Sequence, residues 1–512
     1  MSGRHDDERA ADPSSQLDVP DPSRRFLTHV HIGGPWARFL AGLAMIVAAV
    51  LATSAALEIT PMQTVTVAGQ VIKVGAAPRL RLSGPAEVDL FGQGLPTAIS
   101  IRGPIQLKLQ LSQITLNSEL DNFVQGRSPS QNGQSLRAQL VAGWERYFGW
   151  EIAAAGLAAL ILAGAVAGWR RLPPRSTALV LVLGLLVTEA INLTAIAVTA
   201  DGARSALHGV SSLTQLVGSE DVTVQRQPGQ PPLQGIQEVV LGDSTAAGAG
   251  LPLVPDASVA DSACGRSAQS YASDLAAAHG WKALNLACDS ATVTAGLLGP
   301  QQLNGQQIPA QIGAADRVRR PAVVIVSVGA DDLQWSAILE VCAATAQCDS
   351  RASNAYFQQK LAEFSTDYLQ LLIQLGNLPG HPQVIINRYY DPFGSNVSCI
   401  TKRGLTAAKV KTIRSWLTAL NQVLARGAGQ FGYLSPQPSF AGHELCSPQA
   451  YVQGLGASAP FHPTALGQLE IALTDEVALA SQPSPSPSPS SSAAAGQPRA
   501  TERPTQSAGA GP

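Results

Sequence analysis

A serine and a histidine that lie far apart in the chain are the residues best suited to carry chemistry. Ser244 sits in the Gly-Asp-Ser-Thr segment 242–245, directly after the apolar run 239–241. His462, followed by Pro463, precedes an apolar helical segment. A strand that ends in a tight turn presents a serine hydroxyl at the carboxyl edge of a sheet, and a histidine brought there by the fold acts as its general base. The pair therefore predicts ester chemistry.

The elements that must position this pair alternate between strand and helix over residues 235–481. Three continuous apolar runs are strand-like, namely 239–241, 322–328 and 384–386. Two helical faces recur at three- and four-residue steps, one over Phe357–Leu372 and one over Val410–Leu424. Alternation of this kind predicts a three-layer α/β/α, flavodoxin-like fold with a parallel sheet, and continuous apolar strands fit burial on both faces.

The first 200 residues contain three apolar stretches that each approach the ~20 residues needed to cross a bilayer as a helix. The predicted transmembrane helices cover residues 36–57, 150–169 and 177–200, and Trp36, Trp150 and Trp169 fall where interfacial aromatic residues are expected. The net charge is −2 and only 14% of residues are charged, so no basic patch indicates a nucleic-acid partner. The chain is therefore predicted to be a membrane protein.

Basic residues orient these spans. Arginines precede the first span and crowd the loop 170–176, which places both segments in the cytoplasm. Residues 1–35 are then a disordered cytoplasmic tail, and residues 58–149 are an extracellular domain that two-residue alternation at 105–111 predicts to be β-rich. A linker, 201–234, leads to the main domain, and a disordered Pro/Ser/Ala-rich tail covers 482–512. The first span is taken as an uncleaved anchor, although residues 52–56 resemble a cleavage site.

All six cysteines follow the third span, which independently indicates an oxidising, extracytoplasmic location. An even number predicts three disulfides, and six cysteines allow 15 pairings. Sequence proximity alone indicates only Cys342–Cys348. No Cys-x-x-Cys pair is present, so neither a metal site nor thiol redox chemistry is expected. No cofactor is predicted.

Several ordered motifs in the main domain resemble the SGNH (GDSL) hydrolase family, and in particular its secreted esterases and phospholipases with three disulfides. The motifs are the Gly-Asp-Ser-Thr segment 242–245, Cys264–Ser267 with Tyr271, Ala287–Thr292, Gly442-His443 with Cys446, and Phe461–Gly467. The resemblance covers about half of the chain. It implies the disulfide pairs Cys264–Cys288, Cys342–Cys348 and Cys399–Cys446.

The resemblance also implies roles for individual residues. Ser244 would be the nucleophile and His462 the base. The oxyanion hole would use the backbone N–H of Ser244, the backbone N–H of Ser290, where the family has a glycine, and Asp331, where the family has an asparagine. The family often carries a carboxylate three residues before the histidine, and here that position is Ala459. The resemblance therefore implies a Ser–His dyad whose ring is held by a backbone carbonyl.

Asp331 is the largest departure from the family pattern. An ionised carboxylate repels an oxyanion and donates nothing, whereas a protonated one donates a hydrogen bond. Burial beside Asp332 would raise a carboxyl pKa in the required direction. If the carboxyl is instead ionised, either the reaction is slower or this position has a different role. Asp391 is a distant candidate for the missing orienting carboxylate, and a loop-capping role is its competing interpretation.

The sequence thus predicts a membrane-anchored, extracytoplasmic serine hydrolase that cleaves acyl or acetyl esters of envelope lipids or glycans. An acyltransferase that uses the same serine and histidine is one alternative, and a catalytically weakened envelope-binding protein is another. Within the third span, Glu189 and Asn192 mark either a functional polar site or a hydrogen bond between helices. The sequence gives no function for the insert 58–149.

Overall fold

The computed structural model describes residues 35–67, 70–113, 132–207, 224–225, 229–481 and 511. The tail predicted at 1–35, the tail predicted at 482–512 and the linker 201–234 lie mostly outside these residues. The helices are α1 Pro35–Ile59, α2 Asn132–Trp169, α3 Pro174–Leu207, α4 Ser244–Ala247, α5 Val259–Cys264, α6 Tyr271–His279, α7 Gln311–Ala315, α8 Trp335–Ala344, α9 Arg351–Gly376, α10 Ser398–Thr401, α11 Ala407–Phe431 and α12 Ala465–Ala480. The strands are β1 Gln63–Val67, β2 Gln70–Pro78, β3 Ser83–Leu90, β4 Gln93–Arg102, β5 Ile105–Gln113, β6 Glu238–Gly242, β7 Ala283–Asn285, β8 Gln301–Leu303, β9 Gln306–Ile308, β10 Val323–Ser327 and β11 Gln383–Ile386.

In the part of the chain that the structure describes, three helices are long and apolar enough to cross a membrane, over Phe39–Ile59, Ala138–Trp169 and Pro174–Ala206. One compact unit of the chain takes α1 together with Glu151–Thr194. Within these helices many of the large apolar side chains are exposed, whereas several alanines are buried. That distribution is the inverse of a water-soluble helix and fits lipid-facing surfaces with close helix contacts through small residues.

A hydrogen bond between helices accounts for one polar residue of the third span. Asn192 Nδ2 donates to Glu151 Oε2 at 2.9 Å, and both residues are buried. Asn192 was expected to mark either a functional polar site or a hydrogen bond between helices, and the structure shows the hydrogen bond. Its partner, Glu151, was not identified from the sequence. Glu189 lies beside Gly156 of α2 and takes no part in this bond.

The second unit contains the residues from Thr60 to Trp150 and those from Ala195 onward. Its insert is a five-stranded sheet in the order β1-β2-β5-β3-β4. All neighbouring pairs are antiparallel except β3 with β5. Along β3, buried residues alternate with more exposed ones, so the two-residue pattern reflects a sheet with one covered face.

The boundary predicted for the insert is wrong at its carboxyl side. Residues 132–149 were assigned to the β-rich domain 58–149, but they form the first half of α2. The third span likewise continues as helix to Leu207, beyond the predicted end at residue 200. Hydropathy marks where a helix leaves lipid, but a helix ends only where a proline, a glycine cap or a loss of packing stops it. Neither segment contains an internal proline.

The main domain is built on a four-stranded parallel sheet in the order β11-β10-β6-β7. Its strands β6 and β10 are buried at every position, as the apolar runs predicted. Two pairs of helices pack beside the sheet, α6 with α12 and α9 with α11. This is the predicted α/β architecture.

The strand order places the first and third strands of this sheet side by side. In chain order the parallel strands are β6, β7, β10 and β11, so the chain leaves β6 in one direction and returns to its other side with β10. Ligand sites of open α/β sheets lie at the carboxyl ends of the strands where the order reverses in this way. Ser244 follows β6 and Asp331 follows β10. The nucleophile and the predicted oxyanion-hole residue therefore both lie at the point where the strand order reverses.

Three disulfides join the six cysteines in this domain. The pairs are Cys264–Cys288, Cys342–Cys348 and Cys399–Cys446. These are the pairs that the family resemblance implies. The first of them ties the end of α5 to the loop that follows β7, and that loop contains Ser290.

Candidate active site

A short turn after β6 presents Ser244. Gly242 has φ of +144°, and a side chain there would overlap the carbonyl oxygen of Ser327 on β10. Asp243 then caps α4, since its Oδ1 accepts a hydrogen bond from Thr245 N at 2.9 Å. Ser244 is 8% exposed, so its hydroxyl lies in an almost closed environment.

The backbone that carries this turn is held from the neighbouring loop. The side chain of Gln311 on α7 forms two hydrogen bonds with Gly242, accepting from its N–H at 2.7 Å and donating to its carbonyl at 2.9 Å. Cys288 N donates to the same carbonyl at 3.0 Å. The end of β6 is therefore fixed on the side of the Ser290 loop.

The structure brings His462 to Ser244. His462 Nε2 lies 2.7 Å from Ser244 Oγ, and Nδ1 lies 3.1 Å from the backbone carbonyl of Pro460. A carbonyl oxygen only accepts, so Nδ1 carries the proton and Nε2 is free to accept from the serine hydroxyl. A backbone carbonyl thus occupies the place of the carboxylate missing at Ala459.

Two residues outside the motifs hold the histidine loop. Gln453 Nε2 donates to Ala249 O at 2.8 Å and to Pro463 O at 2.9 Å, which ties the loop to the segment after the nucleophile. Tyr390 donates to the carbonyl of Phe461 at 2.8 Å. Phe461 has φ of +67°, a strained conformation for a residue with a large side chain. The Tyr390 bond therefore fixes a residue that borders His462 directly.

Ser290 lies at the position that the resemblance assigns to an oxyanion-hole glycine. It is exposed and has φ of +60°, in the left-handed region where glycine carries no steric penalty. This backbone conformation is one that glycine adopts freely, although the residue here is serine. Serine at this position costs conformational energy of order 1 kcal/mol.

Asp331 lies in the turn after β10, at the same sheet edge as Ser244. Burial, with smaller contributions from the charges of Asp243 and Asp289, raises the pKa of Asp331 to about 8. Its Oδ2 is buried and has no hydrogen-bond partner among the described residues. Burial therefore shifts Asp331 toward its neutral carboxylic acid form, which has a proton to donate.

Asp332 has a structural contact of its own. Its Oδ1 accepts a hydrogen bond from Val293 N at 2.9 Å, which holds the segment that follows Ser290. Burial raises the pKa of Asp332 to about 8, and the Val293 hydrogen bond opposes that shift. Asp332 therefore couples the β10 turn to the Ser290 loop.

A buried tyrosine connects the two sides of the site. Tyr389 donates to Asp243 Oδ2 and accepts from the backbone N–H of Ala330 at 3.0 Å. Burial raises the pKa of Asp243 to about 7, against the lowering effects of the Tyr389 and Thr245 hydrogen bonds. The nucleophile turn and the Asp331 turn thus share one polar network.

Other sequence candidates lie in structural contacts. Asp391 accepts from Phe393 N at 3.0 Å and pairs with Arg414 at 2.7 Å, which is the loop-capping arrangement. His443 Nδ1 lies 2.9 Å from Gln449 O, and its ring stacks on Tyr451. Among the described residues no group of three or more His, Cys, Asp or Glu side chains could hold a metal ion.

Gln311, Gln453 and Tyr390 were not identified from the sequence. Their side chains act on backbone groups that are distant along the chain, and such contacts leave no local spacing pattern. Tyr390 stands one residue before Asp391, close to a position that the sequence did single out, but its partner Phe461 is 71 residues away. Only the fold reveals these contacts.

A family model described as the GDSL-like Lipase/Acylhydrolase family matches residues 240–469. That range begins within β6 and ends within α12, so it includes Ser244, Ser290, Asp331 and His462. A search of curated proteins finds no match to the chain.

Solved structures resemble the chain over about half its length. An extracellular lipase from Streptomyces rimosus is 22% identical with a TM-score of 0.39, and the alignment covers 48% of this chain and 99% of the lipase. A phospholipase A1 from Streptomyces albidoflavus NA297 is 24% identical with a TM-score of 0.36, covering 46% of this chain and 96% of the phospholipase. A putative GDSL-like lipase from Bacteroides ovatus ATCC 8483 is 11% identical with a TM-score of 0.27, covering 49% of this chain and 100% of that protein.

Proposed function

Since residues 240–469 belong to the GDSL-like lipase/acylhydrolase family, we propose that the chain is a membrane-anchored, extracytoplasmic serine hydrolase that cleaves carboxylic esters through an acyl-enzyme. The observation that carries the proposal is the 2.7 Å contact between Ser244 Oγ and His462 Nε2, with Nδ1 directed at the Pro460 carbonyl. This arrangement supplies a nucleophile and a base in the required tautomer.

In the first step Ser244 Oγ attacks the acyl carbonyl while His462 Nε2 takes its proton. The imidazolium keeps its Nδ1–H bond to Pro460 O, which holds the ring in plane. His462 then returns the proton to the leaving alcohol, which departs as the acyl-enzyme forms. In the second step His462 takes a proton from water, and the resulting hydroxide attacks the acyl carbon. The bond between the acyl carbon and Ser244 Oγ then breaks, His462 returns the proton to Oγ, and the acid leaves.

The tetrahedral intermediates carry an oxyanion that needs donors. The backbone N–H groups of Ser244 and Ser290 supply two of them in this proposal. Asp331, protonated, supplies the third through its carboxylic acid, where the family pattern has an asparagine amide. A carboxylic acid kept neutral by its surroundings is a competent donor to an oxyanion.

Charge on Asp331 decides whether this hole functions. The carboxylic acid donates a hydrogen bond, whereas the carboxylate repels the developing oxyanion. The raised pKa of Asp331, about 8, keeps the acid form dominant at neutral pH. The oxyanion hole should therefore function below about pH 8, and hydrolysis should fall as pH rises through about 8.

The substrate is proposed to be an acyl or acetyl ester of an envelope lipid or glycan. Three of the described helices are long and apolar enough to cross a membrane, and three disulfides suit an oxidising compartment outside the cytoplasm. A domain held there meets lipids and surface glycans first. The location supports the substrate class and leaves the acyl chain length open.

A catalytically weakened envelope-binding protein is the competing function, and Asp331 is the observation that favours it. If this carboxyl is ionised in the assembled site, it blocks the oxyanion hole while leaving Ser244 and His462 in place. An acyltransferase would use the same serine and histidine with a sugar hydroxyl in place of water.

The test uses the full-length protein in detergent micelles. Wild type and Ser244→Ala are treated with a fluorophosphonate probe and assayed on p-nitrophenyl acetate and butyrate. The proposal expects labelling and hydrolysis in wild type, and neither in Ser244→Ala. An intact wild-type protein that neither labels nor turns over contradicts a hydrolase and favours the binding protein. Labelling with slow hydrolysis that a sugar acceptor accelerates favours the acyltransferase.

A further inference from the structure

The turn between β2 and β3, residues Arg79–Leu82, exposes two leucines close together. Leu80 is 106% exposed and Leu82 is 77% exposed, whereas Leu90 at the other end of β3 is fully buried. Single exposed leucines are ordinary on protein surfaces. Two of them in a four-residue turn, with the exposed Arg81 between them, form an apolar tip with a positive charge.

Hydrogen bonds hold this turn in shape. The Arg79 guanidinium donates to Gly84 O at 2.9 Å and also to Pro85 O. Its backbone N–H donates to Pro104 O at 2.9 Å, and Gly103 N donates to Leu82 O at 2.8 Å. The leucines are therefore presented by a fixed scaffold and not by a loose loop.

The turn lies beside the outer end of the third span. Gly103, which bonds to Leu82, packs so closely on α3 that a Cβ there would lie 2.7 Å from Thr199 Cα. A Cβ at Gly202 would lie 2.9 Å from Arg102 N. A helix rises ~1.5 Å per residue, so Thr199 lies more than one ~30 Å hydrocarbon thickness from the start of α3. Residues near Thr199 are therefore expected at the lipid–water boundary.

Contacts with α2, which contains the second span, independently indicate that the turn lies near the lipid–water boundary. Trp144 Nε1 donates to Gly75 O at 3.1 Å, and Tyr147 donates to Ala76 O at 3.2 Å. The residue numbers of α2 and β2 rise together along these contacts, so the end of β2 that leads into the turn is the end nearer the second span. About one turn further along α2, Trp150 is 66% exposed and is predicted to be interfacial.

The opposite end of the insert is fixed to the main domain. Phe91, in the turn after β3, is buried and packs edge-on against Tyr368 of α9 with ring centroids 5.6 Å apart. Gln430 of α11 donates to Leu111 O at 3.0 Å. Since β3 spans eight residues, the two turns are separated by ~26 Å at ~3.3 Å per residue.

We propose that the Arg79–Leu82 turn inserts Leu80 and Leu82 into the lipid interface beside the helix residues that continue the second and third spans, with Arg81 and Arg102 facing the phosphate groups of anionic lipids. The insert then contacts lipid with one end and the hydrolase domain with the other. This role is separate from ester hydrolysis and requires neither Ser244 nor a particular sidedness of the membrane, because the turn is held by helix residues near Trp144 and Thr199 whichever side they occupy.

The test exploits the cysteine pairing. All six native cysteines are in disulfides, so Leu80→Cys in the full-length chain introduces a single free thiol for an environment-sensitive fluorophore. Thr66→Cys is the matched control, since Thr66 is exposed on the same sheet but pairs with Val71 at the far end of β2. Both proteins are reconstituted in phosphatidylcholine–phosphatidylglycerol vesicles, with and without lipids brominated near the headgroup.

The proposal expects blue-shifted emission at position 80 and quenching by brominated lipid at least about twofold stronger than at position 66. Water-like emission with equal quenching at both positions overturns it. Blue-shifted emission at position 80 without lipid quenching also overturns it, and indicates a protein contact such as a second copy. Arg81→Glu in the Leu80→Cys background should reduce quenching in anionic vesicles, and an unchanged value contradicts the headgroup contact. Leu82→Cys repeats the measurement at a second position.

Discussion

The two sides of the Ser–His site differ in how fully their polar groups are bonded. On the nucleophile side every polar group named above has a partner. Ser244 Oγ and the Pro460 carbonyl are both hydrogen-bonded to the His462 ring. The Phe461 carbonyl accepts a hydrogen bond from Tyr390. On the oxyanion side, the Oδ2 atoms of Asp331 and Asp332 are buried without a hydrogen-bond partner among the described residues. Buried polar atoms normally have partners, and exceptions are frequent where a ligand or a reaction supplies one.

This difference implies that geometry controls the activity of the nucleophile side, whereas charge controls the activity of the oxyanion side. The nucleophile side relies on neutral hydrogen bonds whose geometry the fold sets. The oxyanion side relies on the protonation of buried carboxyls, because burial raises the pKa of both Asp331 and Asp332 to about 8. Substitutions on the first side should therefore change the rate at every pH, whereas those on the second should change its pH dependence.

The largest expected effect comes from removing the base. His462→Ala should lower ester hydrolysis by ~10²–10⁴-fold, the usual contribution of a positioned general base, and the loss should persist at pH 9. The matched control is His443→Ala, whose ring contacts Gln449 O and Tyr451 away from Ser244. The rates are measured with p-nitrophenyl butyrate. Equal losses in the two variants would show that His462 has no specific role.

Asp331→Asn tests the charge on the other side. Below its pKa of about 8 the wild-type acid donates, and above it the carboxylate repels, so wild-type activity should fall as pH rises through about 8. The amide donates at every pH, so the variant should exceed wild type at pH 9 by about tenfold, somewhat less than the full value of an oxyanion donor. The measurement is kcat/KM between pH 6 and pH 9.5.

The stability of the wild-type protein, like its activity, should fall as pH rises. A carboxyl whose folded pKa is about 8 and whose unfolded pKa is ~4 stabilises the fold at low pH, and this contribution is lost as pH rises through about 8. Wild type should therefore lose more thermal stability than Asp331→Asn between pH 6 and pH 9. Asp332→Asn is the control, since it removes a neighbouring charge without placing an amide at position 331. An alkaline gain of activity in that control as well would assign the effect to charge alone.

The nucleophile side of the site could be predicted from the sequence because its residues lie in recognisable motifs. Ser244 and His462 each follow a local pattern, and the strand runs that position them are continuous apolar segments. The αL backbone of Ser290 and the hydrogen-bond state of Asp331 depend on residues from several loops, so no spacing reveals them. The helical residues 132–149 were missed for a related reason, since a polar helix that continues a span has no hydropathy signal of its own.

A smaller effect is expected from Tyr390→Phe, which removes the donor to the Phe461 carbonyl. The change leaves the ring in place and loosens the residue before His462, so kcat should fall ~3–10-fold, as for the loss of about 1 kcal/mol from one hydrogen bond, with KM little changed. Tyr433→Phe is the matched control, because its hydroxyl donates to Leu372 O at 3.1 Å, remote from the site. The control should lose stability without losing kcat, and a similar fall in kcat in both would contradict a positioning role for Tyr390.

The smallest expected effect concerns the backbone of the oxyanion side. Ser290→Gly should raise the free energy of unfolding by ~0.5–1 kcal/mol, because serine at φ of +60° carries a steric penalty that glycine avoids. Asn304→Gly is the control, at φ of +49° in the turn between β8 and β9. Thermal unfolding measures both variants, and ester hydrolysis separates them. If the Ser290 N–H contacts the oxyanion, only Ser290→Gly should change kcat, by up to about threefold, since the same conformation becomes easier to hold during the reaction. Equal kcat in both variants would limit Ser290 to a structural position and leave the oxyanion to Ser244 and Asp331.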